Sequence, residues 1–289
     1  MKVFLTHRDQ DFDLQQELPP NEEALTQDLE LNTLFNAMAL EDAFLFDVAK
    51  KAVLSSLVDP ETIVYRQHVL ADCLEQPSIV RELYDVAVEA TQVERQPGMY
   101  LSLTHASPGT ILSRSVQILE ALIGILKRLR KIADEEAGKF RSEGFTRFFA
   151  TLEEELDDEY LETLQRYLKE LKFERGVLIS AQLGKGNKGR RHVLRRPLPR
   201  SWVERIPGKG PVSYGFTIPP RDENGFKALE ELRGKGINLV ANALGQSTDH
   251  VVSFFGMLRA ELAFYVGCLN LRRPCLVVFV GFGWPTASS

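Results

Sequence analysis

Along most of the chain, apolar residues recur every three or four positions, the period of a helix with one buried face. From Glu22 to Ala90 this period predicts four short helices, near 22–39, 41–57, 60–75 and 77–91. Two of them begin at Asp59-Pro60 and Gln76-Pro77, where proline in the first helical position gives up no needed hydrogen bond. Ser107-Pro108 opens a longer helix over 107–133, with Ile111, Ile118, Leu122, Ile125, Leu129 and Ile132 at heptad-like steps. At ~1.5 Å per residue it would be a rod of about 40 Å. A second rod runs from Phe145 through Phe149, Leu152, Leu156, Tyr160, Leu164 and Leu168 to Leu171. Four consecutive four-residue steps in it, from Leu152 to Leu168, predict a stutter. Gly138 and Gly144 bracket the turn between the rods, which suggests a helical hairpin. The cleanest seam is Ile237, Ala241, Leu244, Thr248, Val251, Phe255, Leu258, Leu262, Tyr265 and Leu269, where only Thr248 is polar. Gly245, Gly256 and Gly267 lie in that helix and predict close approaches by neighbouring elements.

Elsewhere the helical period is lost. Residues 1–21 read as an arm, with a short strand over Lys2–His7 and a stop at Pro19-Pro20. Between 174 and 221, glycine and proline are dense, and Val177–Leu183, His192–Leu194 and Val212–Ile218 read as strands of a small β insertion or an ordered loop. After Arg272-Arg273-Pro274, which is expected to end the last helix, an apolar run from Cys275 to Trp284 resembles a strand. A lone strand leaves its backbone unpaired, so this tail either joins a sheet or is no designed part of the fold. The chain divides into an arm (1–21), a helical core (22–106), a long-helix hairpin (107–173), a basic insertion (174–221), a long helix (222–271) and an atypical tail (272–289). The fold class is mainly α, a helical core with long helices and a small β insertion.

Composition narrows the possibilities. With 289 residues, two domains or one elongated domain are expected. The 44% hydrophobic and 26% charged content argues against global disorder. The net charge is −5, so any affinity for anions must come from a local patch. The three cysteines, Cys73, Cys268 and Cys275, form no C-x-x-C pair and fit reduced thiols in the cytoplasm. Residues 1–13 lack the apolar stretch of a signal peptide. The most apolar span, Val251–Leu269, is interrupted by Arg259 and Glu261, so no membrane partner is expected.

One patch stands out. Lys185, Lys188, Arg190, Arg191, Arg195, Arg196, Arg200, Arg205 and Lys209 are opposed only by Glu204, and Trp202 and Tyr214 lie close in sequence. Such clustering favours nucleic-acid phosphates through counterion release. It carries no base specificity, and a solvated loop, or one docked on the acidic run at 153–159, is the alternative. Gly184 and Gly189 have the glycine spacing of a nucleotide-binding loop, but Arg190-Arg191 replaces its Lys-Ser/Thr. The five scattered histidines have no zinc spacing, there is no G-x-S-x-G elbow, and Cys73 reads as core. Glu153–Glu159 reads as a solvated helix face. No catalytic constellation, cofactor site or metal site is expected.

The stretches Asp28–Met38 and Ala52–Leu70 carry a further signal. A helix, a leucine-containing turn and then Asp59, Pro60, Ile63, Arg66 and Leu70, with Val69 beside it, resemble the core of the MutS family of DNA mismatch-recognition ATPases. The helix 237–271 resembles the lever that leads from that core into the family's ATPase domain. The resemblance covers about 22–91 and 228–271. It implies structural roles for these positions, with Arg66 bracing neighbouring helices, and it places 174–221 about where the family has its DNA clamp. The mismatch-reading domain and the ATPase domain with its Walker A loop have no counterpart here. The expectation is a truncated or frame-disrupted member, with a tail from about Arg272 unrelated to the family. ATP and Mg²⁺ would then belong only to an intact relative. The resemblance implies a non-catalytic DNA-repair or DNA-binding module. The rival is a helical scaffold that binds protein, or pairs as a homodimer, through its long apolar seams.

Overall fold

A computed structural model describes residues 1–55, 57–94, 106–174, 176–196 and 214–281. The described residues form helices α1 (Glu22–Asp28), α2 (Leu31–Ala39), α3 (Ala43–Leu54), α4 (Pro60–Glu75), α5 (Pro77–Val93), α6 (Pro108–Glu136), α7 (Glu143–Glu155), α8 (Asp158–Leu171) and α9 (Glu223–Gly281). The strands β1 (Leu178–Leu183) and β2 (Gly189–Arg195) form one antiparallel ribbon. The fold is mainly α with a small β insertion. The chain divides into two compact units, residues 1–97, 121–164 and 249–289 in the larger and 98–120 and 165–248 in the smaller.

Helix starts follow local capping chemistry. The Asp42 carboxylate accepts from the Phe44 and Leu45 amides at 2.8 and 3.1 Å. Asp59 accepts from the Thr62 amide at 3.0 Å, with Pro60 in the first helical position. Ser107 and Ser142 hydroxyls accept from the Thr110 and Phe145 amides. Asp222 accepts from the Gly225 amide at 2.9 Å.

The larger unit packs α2 and α3 around Phe35, Met38, Ala49 and Leu54, with Phe264, Cys268 and Leu271 of α9 against them. A Cβ on Gly267 would stand 3.0 Å from Met38, so this crossing needs the glycine. Phe140, Phe145, Phe148 and Phe149 form an aromatic cluster around α7. The buried Asp72 carboxylate of α4 accepts the Arg141 and Ser142 amides, the latter at 2.7 Å, which ties the start of α7 to α4.

The N-terminal arm is part of this packing. Val3, Leu5, Thr6 and Phe12 are buried. Glu261, fully buried on α9, accepts the Leu5 and Thr6 amides at 2.5 and 2.9 Å through Oε2 and the Phe12 amide at 3.3 Å through Oε1. The Tyr265 hydroxyl donates to Leu5 O at 2.6 Å and the Tyr65 hydroxyl to Phe4 O at 2.5 Å. Arg66 Nε donates to Thr6 O at 2.7 Å, and its guanidinium lies 5.9 Å from the Phe264 ring centroid. Arg66 therefore binds the arm and faces α9 together.

In the smaller unit, Leu112 of α6 and Ile237 and Ala241 of α9 make the core, with Ile111, Leu171, Phe173, Val177 and Leu194 around it. Gly245 brings α9 close to Ile111, where a Cβ would sit 3.3 Å away. Gly256 faces open space, so only two of the three seam glycines serve close approaches. The one polar seam residue, Thr248, is buried and donates to Leu244 O at 2.8 Å.

Several expectations are corrected. The helix expected over 22–39 is two helices, parted where Glu30 takes φ 52°. The rod over 145–171 is also two, because Leu156 leaves helical geometry and the Asp157 carboxylate caps the next turn through the Tyr160 amide. Lys2–His7 is no strand, since side chains rather than a neighbouring strand take its backbone hydrogen bonds. Residues 214–218 form no strand, and 212–213 lie outside the described residues. The last helix does not stop at Arg272–Pro274. Backbone helix runs to Gly281, because a short apolar run has no period to separate strand from helix. By length and hydropathy α6 and α9 could each cross a membrane, since an average over a window tolerates isolated charges such as Arg259 and Glu261. About half of each window, 50% and 56%, is buried within the protein.

Candidate nucleic-acid interface

The ribbon pairs Leu178 with Arg195, Ile179 with Leu194, Ser180 with Val193, Gln182 with Arg190 and Leu183 with Gly189. Successive side chains of a strand face opposite sides. The inner face therefore carries Ile179 and Leu194, both half-buried. A Cβ on Gly236 of α9 would collide with the Ile179 side chain, so the absent side chain is what lets the ribbon lie against α9. The outer face carries Leu178, Ser180, Gln182, Arg190, Val193 and Arg195. Four rungs separate Arg190 from Arg195, about 13 Å at the usual strand rise.

The register slips between Ser180 and Gln182, where Arg191 and His192 together oppose Ala181. This is a β-bulge, which re-aims side chains and increases local twist. Arg191 sits there with φ 52°, a left-handed conformation that glycine adopts more readily. At the tip, Lys185–Asn187 make a tight turn with Gly186 at φ 69°. A Cβ on Gly184 would overlap the Arg190 side chain, so that glycine makes room for Arg190 beside the turn.

The predicted basic residues separate into three groups. Lys185, Lys188, Arg190 and Arg191 are exposed, and their side chains have no hydrogen bond or ion pair with another described residue. Arg195 donates through Nε to Ser180 Oγ at 2.9 Å, and Arg196 pairs with Glu170 of α8. Arg200, Arg205, Lys209 and Trp202 lie outside the described residues. Tyr214 is almost fully exposed. Sequence reading missed Ser180 and Gln182, which share the outer face with Arg190; strict alternation across Leu178–Leu183 was the available signal. Between Lys185 and Arg196 the chain has six basic residues and no acid, within a protein of net charge −5.

Gly184–Gly189 forms this ribbon tip, not a loop opening a helix, so it has none of the architecture that cradles nucleotide phosphates. Among the described residues no group of three or more His, Cys, Asp or Glu could hold a metal ion. Cys73 is buried on α4, and burial raises its thiol well above the usual range.

Long helices with apolar seams, a helical core and one basic ribbon define a helical protein with a charged appendage. A family model for the MutS2 N-terminal domain matches residues 58–274, about three quarters of the chain, and the chain belongs to that family. No curated protein and no solved structure matches it. The match takes in the Asp59-Pro60 start of α4, Arg66, the ribbon and most of α9.

Proposed function

We propose that this chain is a non-catalytic, MutS-related DNA-binding module, and that the ribbon contacts the phosphate backbone. The observation that carries the reading is the set of four exposed cations, Lys185, Lys188, Arg190 and Arg191, which have no partner among the described residues, on a two-stranded ribbon. Cations paired within the fold have less to gain from phosphate, whereas solvated ones release counterions when they meet it. A two-stranded β-ribbon is a shape that the B-DNA major groove, about 12 Å wide, admits. In this reading the chain takes no cofactor, and DNA binding is relayed to an ATPase domain carried elsewhere. The repair role rests on the family relationship, and a cytoplasmic site of action on the cysteines Cys73, Cys268 and Cys275, which form no C-x-x-C pair.

The test is fluorescence anisotropy on duplex, mismatched and branched DNA across a salt series. Reversing Lys185, Lys188, Arg190 and Arg191 to Glu is expected to abolish binding at physiological salt. Neutralising them to Gln is expected to lower the salt slope by about 3 to 4, near 0.9 for each phosphate no longer neutralised. Reversing Arg195 and Arg196 is expected to do less, since both already have partners. Unchanged affinity in the fourfold variant overturns the reading.

A second reading, a surface for protein, is favoured by Phe226, Leu229 and Leu232. They are spaced three apart on α9 and each is nearly half exposed. Light scattering distinguishes the two. A concentration-dependent dimer abolished by Leu229→Lys supports this face as a homodimer surface, and a monomer at all concentrations removes that use of it.

A further inference from the structure

Among the described residues, every hydrogen bond made by the Glu261 carboxylate goes to a backbone amide of the arm, at Leu5, Thr6 and Phe12. The carboxyl has no exposure while the arm is seated. If the arm lifts, the carboxyl loses all three donors and gains water. Its affinity for a proton must therefore differ between the two states, and by linkage the arm's seating must depend on pH. We propose that residues 1–12 are a proton-linked strap, whose seating on α4 and α9 is coupled to the ionisation of Glu261. The inference is independent of the DNA-binding reading.

The groups around the carboxyl fix the sign. On α9, Tyr265 lies one turn away and holds Leu5 O. On α4, Tyr65 holds Phe4 O and Arg66 holds Thr6 O. From α7, Arg147 donates to Arg8 O and Glu143 pairs with Arg8. On the arm itself are Asp11, paired with Lys2, and His7. Burial pushes Glu261 up from its ordinary 4.5 to about 7, against the pull of the Thr6, Leu5 and Phe12 amides and with a smaller push from Asp11. A hydrated carboxyl on an open socket returns toward 4.5. Seating therefore takes up a proton between these values, and the strap loosens as the pH rises through that window.

His7 opposes this. Its ring nitrogen lies 2.9 Å from Arg66 Nη2, and burial and Arg66 hold its pKa below 6.5. Protonating His7 as the pH falls sets two cations against each other and lifts the arm. The two groups therefore act with opposite sign, and removing His7 isolates the contribution of Glu261.

The experiment is native-state amide hydrogen exchange on the full chain, with protection factors for Leu5, Thr6 and Phe12 measured from about pH 5 to about pH 8.5. In His7→Ala, protection at these amides is expected to fall about ten- to a hundredfold across the range, while Val69 in α4 stays unchanged. In Glu261→Gln the three amides are expected to lose that dependence. A flat profile in His7→Ala, or the same slope with and without the Glu261 carboxyl, overturns the strap. Should Glu261→Gln unseat the arm at every pH, the ¹³C shift of the Glu261 carboxyl in the wild-type chain decides. A midpoint near 7 supports the proposal, and one in the ordinary carboxylate range overturns it.

Discussion

The arm socket and the ribbon use charge in opposite ways. In the socket, Glu261 and Arg66 are buried and turned onto the backbone of Leu5, Thr6 and Phe12. In the ribbon, the side chains of Lys185, Lys188, Arg190 and Arg191 face solvent and bind no described residue. A buried ion must be hydrogen-bonded to be tolerated, so the socket's charges serve the fold. Exposed cations add little stability, so the ribbon's charges are free to act on something else. Charge reversal in the ribbon should therefore move DNA affinity and leave stability within about 0.5 kcal/mol per site, and single changes in the socket should do the reverse.

The largest effect is expected at Glu261→Ala. Removing the carboxylate strands three amides and opens a buried hole, a loss of about 3 kcal/mol or more. Urea denaturation measures it, and a loss below about 1 kcal/mol would erase the contrast between the regions. Next comes Asp72→Ala. Its carboxylate is the shared acceptor for the Arg141 and Ser142 amides where α7 begins. About 2 kcal/mol is expected, from two buried donors left without their partner. Faster hydrogen exchange in the first turn of α7 would place the damage there.

How much of this was legible depended on whether the signal was local. Asp59-Pro60 and Gln76-Pro77 mark the starts of α4 and α5 because capping and proline chemistry act within one turn. The strand signal over Val177–Leu183 is local too and appears as β1, and the basic residues from Lys185 to Arg195 fall on the ribbon and its tip. Glu261 was not legible in its role. Along a helical seam it reads as an interruption, and only the arm, some 250 residues earlier, explains it. The break at Glu30 has no glycine or proline to announce it. The break at 156–157 had a readable cue in Asp157-Asp158, outweighed by the apolar spacing that runs through it.

Gly236 links packing to the ribbon's exposed charges. Gly236→Ala forces Ile179 off α9. The expected cost is about 1 to 2 kcal/mol, as for other overpacked sites. DNA affinity should fall with it, although no cation has been touched. A variant that loses stability and keeps its affinity would mean that the ribbon works without its seat on the helix.

Arg191→Gly is the smallest effect and separates the two uses of charge within one residue. Arg191 holds φ 52° at the bulge, which costs a non-glycine residue about 1 kcal/mol. Glycine relieves that strain but gives the unfolded chain more freedom, so the net gain is expected to be no more than about 1 kcal/mol. The same change removes one solvated cation and should reduce the DNA salt slope by about 0.9. A protein that becomes slightly more stable while binding more weakly would show that arginine is kept here for its hold on phosphate, against the preference of its own backbone. If stability falls by more than the ~1 kcal/mol that glycine's added freedom accounts for, Arg191 is tied into the fold, and phosphate binding by the ribbon rests on Lys185, Lys188 and Arg190 alone.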